Sequence, residues 1–145
     1  MQSYFEKEGI VPDLPGVVLL SHGRLAFGLR DAAEIVYGES ANLAAFCLEP
    51  GDDLDAFQEA FAQAYTAYKE CLVIVDMKGG TPCNQVLRYA RKTGTAVNAV
   101  TGGSLPMLLE VLAVRDEADG AALRETALQA GNTSAVDLYE FLTRK

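Results

Sequence analysis

The stretch Val17-Val18-Leu19-Leu20-Ser21-His22-Gly23 decides how the chain folds. Four consecutive apolar residues are typical of a short strand that is buried on both faces, and the glycine that follows indicates a turn. A second run of this kind, Cys71-Leu72-Val73-Ile74-Val75, ends at Asp76. Neither run shows the polar alternation of a half-exposed strand. Both therefore predict parallel strands inside a sheet that is covered on its two faces.

Strands and helices alternate along the rest of the chain. Apolar residues at helical spacing predict a helix from Leu25 to Tyr37, which Gly38 ends. Further strands are predicted at residues 42–48 and 95–100, and further helices near Leu54, after Gly80 and at 107–114. This alternation implies right-handed crossovers between parallel strands. The predicted fold class is α/β, doubly wound, with a mainly parallel four-stranded sheet of order 2-1-3-4 and helices on both faces.

The pattern weakens beyond Asp116. Apolar residues from Leu123 to Leu128 predict a helix that Gly131-Asn132 ends. The last apolar residues fit a helix or an added C-terminal strand, and this segment stays open: Val136, Leu138, Tyr139 and Phe141.

Length and charge exclude several classes of protein. The chain has 145 residues, half of them hydrophobic, which is enough for one domain with a real core. Twelve basic against twenty acidic residues give a net charge of −8, which disfavours binding to nucleic acid or anionic lipid. No apolar run approaches the roughly 20 residues of a membrane span, and the acidic N-terminus is unlike a signal peptide. We expect a cytoplasmic protein.

Two groups of residues that suggest metal or redox chemistry have simpler explanations. Cys47, Cys71 and Cys83 are odd in number and show no CxxC spacing, so they support neither a disulfide framework nor a zinc site. Cys47 and Cys71 are expected to be small buried hydrophobic residues inside strands. The three aspartates at positions 52, 53 and 55 are expected to cap a helix rather than to bind a metal.

The candidate site lies where the two central strands end. His22, the only histidine, follows the first strand, and Asp76 follows the third. In a sheet of order 2-1-3-4 these strands are neighbours at the point where strand order reverses, so imidazole and carboxylate are expected to meet there. A carboxylate on Nδ1 fixes the tautomer and leaves Nε2 as a nucleophile. The non-catalytic alternatives are that His22 is a structural histidine and that Asp76 is a carboxylate that caps a helix or a turn.

A glycine-rich loop follows Asp76 and is the candidate phosphate-binding site. Gly79, Gly80 and Thr81 supply close backbone approach, free amides at a helix start and a hydroxyl, which together suit a dianion. A simple glycine turn is the alternative. Neither GxxxxGK[ST] nor GxGxxG after the first strand is present, so a phosphate without a nucleotide is favoured. We expect no metal and no other cofactor.

Three segments in order resemble the IIA domain of the mannose-family (mannose/fructose/sorbose) phosphotransferase system. The first is residues 16–38 with its Ser-His-Gly. The second is residues 73–76 with Gly79-Gly80-Thr81-Pro82-Cys83-Asn84, which resembles GG[ST]P-x-N. The third is residues 101–110, which resembles the G-x-N-[LI]-P-M-L-x-E helix start. Together they extend over about residues 16–116, and three ordered motifs are far more specific than one.

The resemblance implies a function and its partners. His22 would take a phosphoryl group from the phosphocarrier protein HPr and pass it to a IIB component, which phosphorylates an incoming sugar. Asp76 would orient the ring and Thr81 would donate to the phosphoryl oxygens. Contact with the membrane would be indirect, through IIC and IID components. The family also implies a homodimer in which a C-terminal strand is exchanged, and residues 134–141 occupy the matching place.

Two departures and three alternatives limit the resemblance. Ser104 replaces the usual asparagine, and residues 1–15 form an N-terminal extension before a single domain over residues 16–145. One alternative function is the phosphotransfer subunit of a dihydroxyacetone kinase, which genes for kinase subunits would indicate. Another is a non-enzymatic regulatory module that senses phosphorylation. A receiver domain is disfavoured, because Ser21-His22 stand where its paired acids belong.

Overall fold

A five-stranded sheet forms the centre of the computed structural model, which describes residues 1–144. The strands are β1 (Gln2–Tyr4), β2 (Val17–His22), β3 (Leu43–Leu48), β4 (Leu72–Val75) and β5 (Ala99–Val100). The helices are α1 (Leu25–Tyr37), α2 (Leu54–Ala67), α3 (Thr81–Thr93), α4 (Leu105–Val114), α5 (Gly120–Thr133) and α6 (Leu138–Thr143). A 3-10 turn over Arg115–Glu117 follows α4.

The strand order places β2 at the middle of the sheet. The order is β1-β3-β2-β4-β5, and all neighbours except β1 and β3 are parallel. The register aligns Leu20 of β2 with Phe46 of β3 on one side and with Val75 of β4 on the other. The predicted α/β class with a mainly parallel sheet and helices on both faces is confirmed.

Successive residues of β2 face opposite layers of the molecule, as the period of a strand requires. Val17 and Leu19 pack into the core under α1, α4 and α5. Val18 and Leu20 pack into a second core with α2 and α3, where Phe57 is wholly buried. Burial of both faces explains why β2 carries an uninterrupted apolar run.

The four-strand count was wrong, because the N-terminal segment adds a fifth strand. β1 pairs antiparallel with the edge strand β3, so residues 2–4 of the N-terminal segment belong to the central sheet. Asn42 holds the segment from the other end: its side chain accepts from the Val11 amide at 2.9 Å and donates to the Leu14 carbonyl at 2.7 Å. A three-residue polar strand has no periodicity of its own, and its partner strand defines it.

Two element boundaries also differ from the sequence prediction. The strand predicted over residues 95–100 contains only Ala99–Val100. Helix α5 continues through Gly131-Asn132 to Thr133 instead of ending there. A Cβ at Gly131 would lie 2.9 Å from the Met107 side chain of α4. This glycine therefore permits close packing of two helices and does not end one.

The C-terminal segment is a helix, so the added strand is absent from residues 1–144. Asp137 caps α6 by accepting from the Tyr139 and Glu140 amides at 3.0 and 3.2 Å, which favours a helix start over an extended chain. No residue of α6 is buried, and Leu138 and Leu142 are 76% and 79% exposed. The segment is helical in the single chain, and its exchange as a strand between two copies, like the homodimer itself, remains a prediction. None of the helices within residues 1–144 has the length and apolarity needed to cross a membrane.

Candidate functional site

Two neighbouring parallel strands deliver the site residues to one edge of the sheet. β2 ends at His22, and β4 ends at Val75, one residue before Asp76. The Asp76 amide donates to the Leu20 carbonyl at 3.0 Å, which continues the strand pairing beyond the end of β4. The loops that follow both strands therefore leave the sheet side by side, at the carboxyl edge where ligands bind in open α/β sheets.

Asp76 contacts both the backbone and the ring of His22. Its Oδ2 accepts from the His22 backbone N–H at 2.9 Å and lies 2.8 Å from ring Nδ1. Its Oδ1 accepts from the Met77 backbone N–H at 2.8 Å. Because a backbone N–H group donates to each oxygen, the plane of the carboxylate is held independently of the imidazole. The ring orientation is fixed in turn.

The pair leaves one nitrogen of the imidazole available for chemistry. When Asp76 is ionised and the imidazole is neutral, the carboxylate can only accept a hydrogen bond, so this contact favours the tautomer with its proton on Nδ1 and its lone pair on Nε2. The His22 side chain is 48% exposed, whereas the Asp76 side chain is only 9% exposed. The arrangement offers a nitrogen nucleophile on a half-exposed ring, and the fixed carboxylate contacts the other ring nitrogen.

Gly80 packs directly against the imidazole. A Cβ at this position would lie 2.5 Å from His22 Cε1 and 3.1 Å from Nε2. The φ of Gly80 is −78°, so close approach to the ring, and not backbone conformation, requires glycine here. Gly79 has a φ of 82° and no neighbour where a Cβ would stand, so it forms the turn.

The start of α3 lies next to this glycine pair. Thr81 and Cys83 have amides without partners inside the helix, while Pro82 donates none. Their N–H groups and the helix dipole favour an anion at this end of α3. Among the hydrogen bonds of residues 1–144, none joins Thr81 to His22 or Asp76. The structure thus brings His22, Asp76 and Gly80 together, with Thr81 following at the helix start.

Sequence reasoning missed how Ser21 shapes the loop after β2. Its wholly buried side chain donates to the Gly23 carbonyl at 3.1 Å and accepts from the Ala26 amide at 2.8 Å. It thereby holds the turn between His22 and α1. Ser21 lies inside β2, four residues before α1 begins, so the usual position of a capping serine gave no signal for this role. Asn84, which the GG[ST]P-x-N motif included without a stated contact, donates to the Gly79 carbonyl at 3.4 Å.

The predicted burial of the cysteines is confirmed, but two other expectations were wrong: Cys71 lies outside a strand, and Asp52 does not cap α2. Asp52 accepts instead from the N-terminal amine of Met1 and from the Glu49 amide, both at 2.7 Å. Cys47 and Cys71 are buried, and burial raises the pKa of both thiols. Cys47 lies inside β3, and Cys71 directly precedes β4. Asp53 caps α2 by accepting from the Asp55 and Ala56 amides at 2.9 and 3.2 Å. No group of three or more potential metal ligands occurs within residues 1–144.

Comparison with known proteins identifies a family. The profile of the family described as PTS system fructose IIA component (EIIA-man) matches residues 16–128. The chain is 31% identical over 103 residues to the fructose-specific EIIA component of Bacillus subtilis, covering 69% of this chain and 70% of that protein. It is 32% identical over 97 residues to the sorbose-specific EIIA component of Lacticaseibacillus casei, covering 66% and 70%.

Solved structures agree with this assignment. The mannose/sorbose-specific IIA subunit of Enterococcus faecalis superposes with a TM-score of 0.73 at 29% identity, covering 85% of this chain and 93% of that one. The EIIA component of Streptococcus agalactiae superposes with a TM-score of 0.79 at 21% identity, covering 86% and 98%, and shares the fold. The family profile and the curated relatives name the same kind of component. The chain belongs to the mannose family of EIIA components of the sugar phosphotransferase system.

Proposed function

We propose that His22 accepts a phosphoryl group from phosphorylated HPr and passes it to a IIB component for sugar uptake. The observation that carries the proposal is the 2.8 Å contact between Asp76 Oδ2 and Nδ1 of a half-exposed imidazole. This contact leaves Nε2 as the nucleophile. Membership of the family supports this class of partner, and the geometry supports His22 as the acceptor.

The proposed step is a direct displacement at phosphorus. The lone pair of His22 Nε2 attacks the phosphorus of the donor's phosphohistidine, and the nitrogen–phosphorus bond of the donor breaks. The ring becomes a phosphorylated imidazolium whose Nδ1–H still donates to Asp76. The carboxylate therefore stabilises positive charge that develops only as the new bond forms. Transfer to the IIB component is the same displacement in the opposite direction.

The loop before α3 is proposed to receive the phosphoryl oxygens. Gly80 touches the ring on the side of Nε2, and the unpartnered amides of Thr81 and Cys83 follow it. Amides that are already oriented need no rearrangement when a dianion arrives. The Thr81 hydroxyl is proposed as a further donor, and Gly79 as the turn that brings the loop close. No step of this mechanism needs a metal or a nucleotide.

The names of the relatives limit what can be said about the sugar. They include a fructose-specific and a sorbose-specific EIIA component of PTS systems. A IIA component exchanges phosphoryl groups with proteins and does not contact the sugar. The proposal therefore names the sugar phosphotransferase pathway as a class, with the IIC and IID components as the membrane partners of IIB.

The test uses purified HPr that carries labelled phosphoryl, with EDTA present. The wild-type protein should become labelled, and the label should be stable in alkali and lost in acid, as expected for phosphohistidine. His22→Ala should keep the fold and take up no label. Label that persists in His22→Ala would contradict the assignment of the residue. A wild-type protein that stays unlabelled until Mg²⁺ is returned would contradict the metal-free mechanism.

A further inference from the structure

The N-terminal segment, which lies outside the family match, reaches the edge of the sheet that carries the candidate site. In the β1–β3 pairing Gln2 stands opposite Cys47, and in the β3–β2 pairing Cys47 stands opposite Ser21. Two strand spacings separate Gln2 from Ser21, which amounts to about 10 Å. Gln2 is therefore a lateral neighbour of the strand end that presents His22.

The side chain of Gln2 contacts an arginine of the site loop. Arg24 Nη1 donates to Gln2 Oε1, and Arg24 Cζ lies 5.5 Å from the centre of the Phe27 ring. Arg24 follows His22 by two residues, so their Cα atoms are at most about 7 Å apart. Among residues 1–144 no carboxylate forms an ion pair with Arg24. Arg24 is thus an exposed side chain beside the site whose guanidinium contacts the neutral side chains of Gln2 and Phe27.

A protein that docks on His22 also reaches Arg24, because both residues lie where β2 ends at the carboxyl edge of the sheet. A specific interface buries about 800 Å² on each partner, which corresponds to a disc of about 16 Å radius. Arg24 and Gln2 both lie within that radius of His22. An arginine that is already oriented loses little side-chain freedom on binding, and arginines are enriched among the residues that dominate interface energies.

We propose that Arg24 binds an anionic group of the phosphodonor protein and that Gln2 is the residue that positions it. This inference rests on the proposed function. The donor is favoured as the partner because it arrives with about 1.5 to 2 extra negative charges and leaves without them. A cation near the site therefore favours the loaded donor over the spent one. The same cation would retain a IIB component after that partner had become phosphorylated.

Arg30 provides a matched control on the same helix. It also contacts the N-terminal strand, since its Cζ lies 3.5 Å from the centre of the Tyr4 ring. Its Nε donates to the Leu43 carbonyl at 3.3 Å, at the opposite end of β3 from the site. Six residues along α1 separate it from Arg24, or about 9 Å. Arg30→Ala removes the same charge and a contact to β1 without changing the rim of the site.

The experiment measures KM and kcat for transfer from phosphorylated HPr to the full chain. Arg24→Ala should raise KM about tenfold, as expected for a dominant interface residue, with kcat at saturating donor within about twofold of wild type. The effect should shrink as ionic strength rises, because an exposed charge is screened. Gln2→Ala should raise KM by about threefold, and it should add nothing further when Arg24 is already alanine.

Three outcomes decide the matter once thermal unfolding shows that the variants are folded. An unchanged KM in Arg24→Ala, or a rise equal to that in Arg30→Ala, overturns the role of Arg24. If the double variant raises KM by the product of the two single increases, Gln2 acts independently of Arg24 and its positioning role is overturned. If the wild-type protein accepts no phosphoryl group from HPr, the proposed function fails first and this inference fails with it.

Discussion

Replacing Asp76 with asparagine tests how much of the reactivity of His22 depends on the carboxylate. Asp76 accepts from three N–H groups: Oδ2 from the His22 amide and from ring Nδ1, and Oδ1 from the Met77 amide. An asparagine has one acceptor oxygen and one NH2 group. Its oxygen is expected to take the place of Oδ2, where it serves two donors. The ring then stays in place with the same tautomer.

The expected loss is electrostatic, because the neutral amide no longer stabilises the imidazolium that forms during transfer. Two unit charges about 4 Å apart attract by about 1 kcal/mol in water and about 4 kcal/mol near a protein surface. Since the His22 side chain is 48% exposed, solvent screening keeps the value toward the lower end. A loss of about 1–3 kcal/mol corresponds to transfer that is slower by about 5- to 150-fold.

The assay is single-turnover transfer from phosphorylated HPr, followed by rapid quenching. Asp53→Asn is the control: it removes the same charge from the cap of α2, and asparagine caps a helix as well as aspartate does. The control should transfer at the wild-type rate. A folded Asp76→Asn variant that transfers within twofold of wild type would refute the proposed stabilisation. So would an Asp76→Ala variant that is faster than Asp76→Asn.

Three further predictions follow from packing. Gly80→Ala should slow transfer about 100-fold, because the added Cβ displaces the imidazole. Gly28→Ala is the control: this glycine lies inside α1 with no neighbour where a Cβ would stand, so transfer should not change. Equal rates in the two variants would contradict the close approach of Gly80 to the ring. Burial raises the pKa of Cys47 and Cys71, so at pH 8 iodoacetamide should alkylate both thiols only after the protein is unfolded. Mass spectrometry measures the alkylation, and rapid alkylation of the native protein would contradict the prediction. The exposed apolar residues of α6 predict a homodimer by light scattering, and deletion from residue 134 onward should give monomer or insoluble protein; a soluble full-length monomer at micromolar concentration would exclude this.

Local pattern was enough to predict the centre of the molecule and the position of its site. The apolar run of β2 and the helical spacing of α1 are properties of short segments, and α1 has the predicted bounds, Leu25–Tyr37. His22 and Asp76 follow adjacent parallel strands, whose carboxyl ends must share one edge. The sequence therefore determined that imidazole and carboxylate lie near each other.

Only the tertiary structure decided the features that depend on residues far apart in the chain. β1 is a strand because the edge of β3 offers unpaired backbone groups, and its own three residues carry no signal. The sequence predicts a helix end at Gly131, whereas the structure shows that glycine is needed there because Met107 of α4 packs against it. The contact of Gly80 with the imidazole and that of Gln2 with Arg24 likewise join distant segments. Such contacts have no local period, since the packing of separate elements determines which side chains meet.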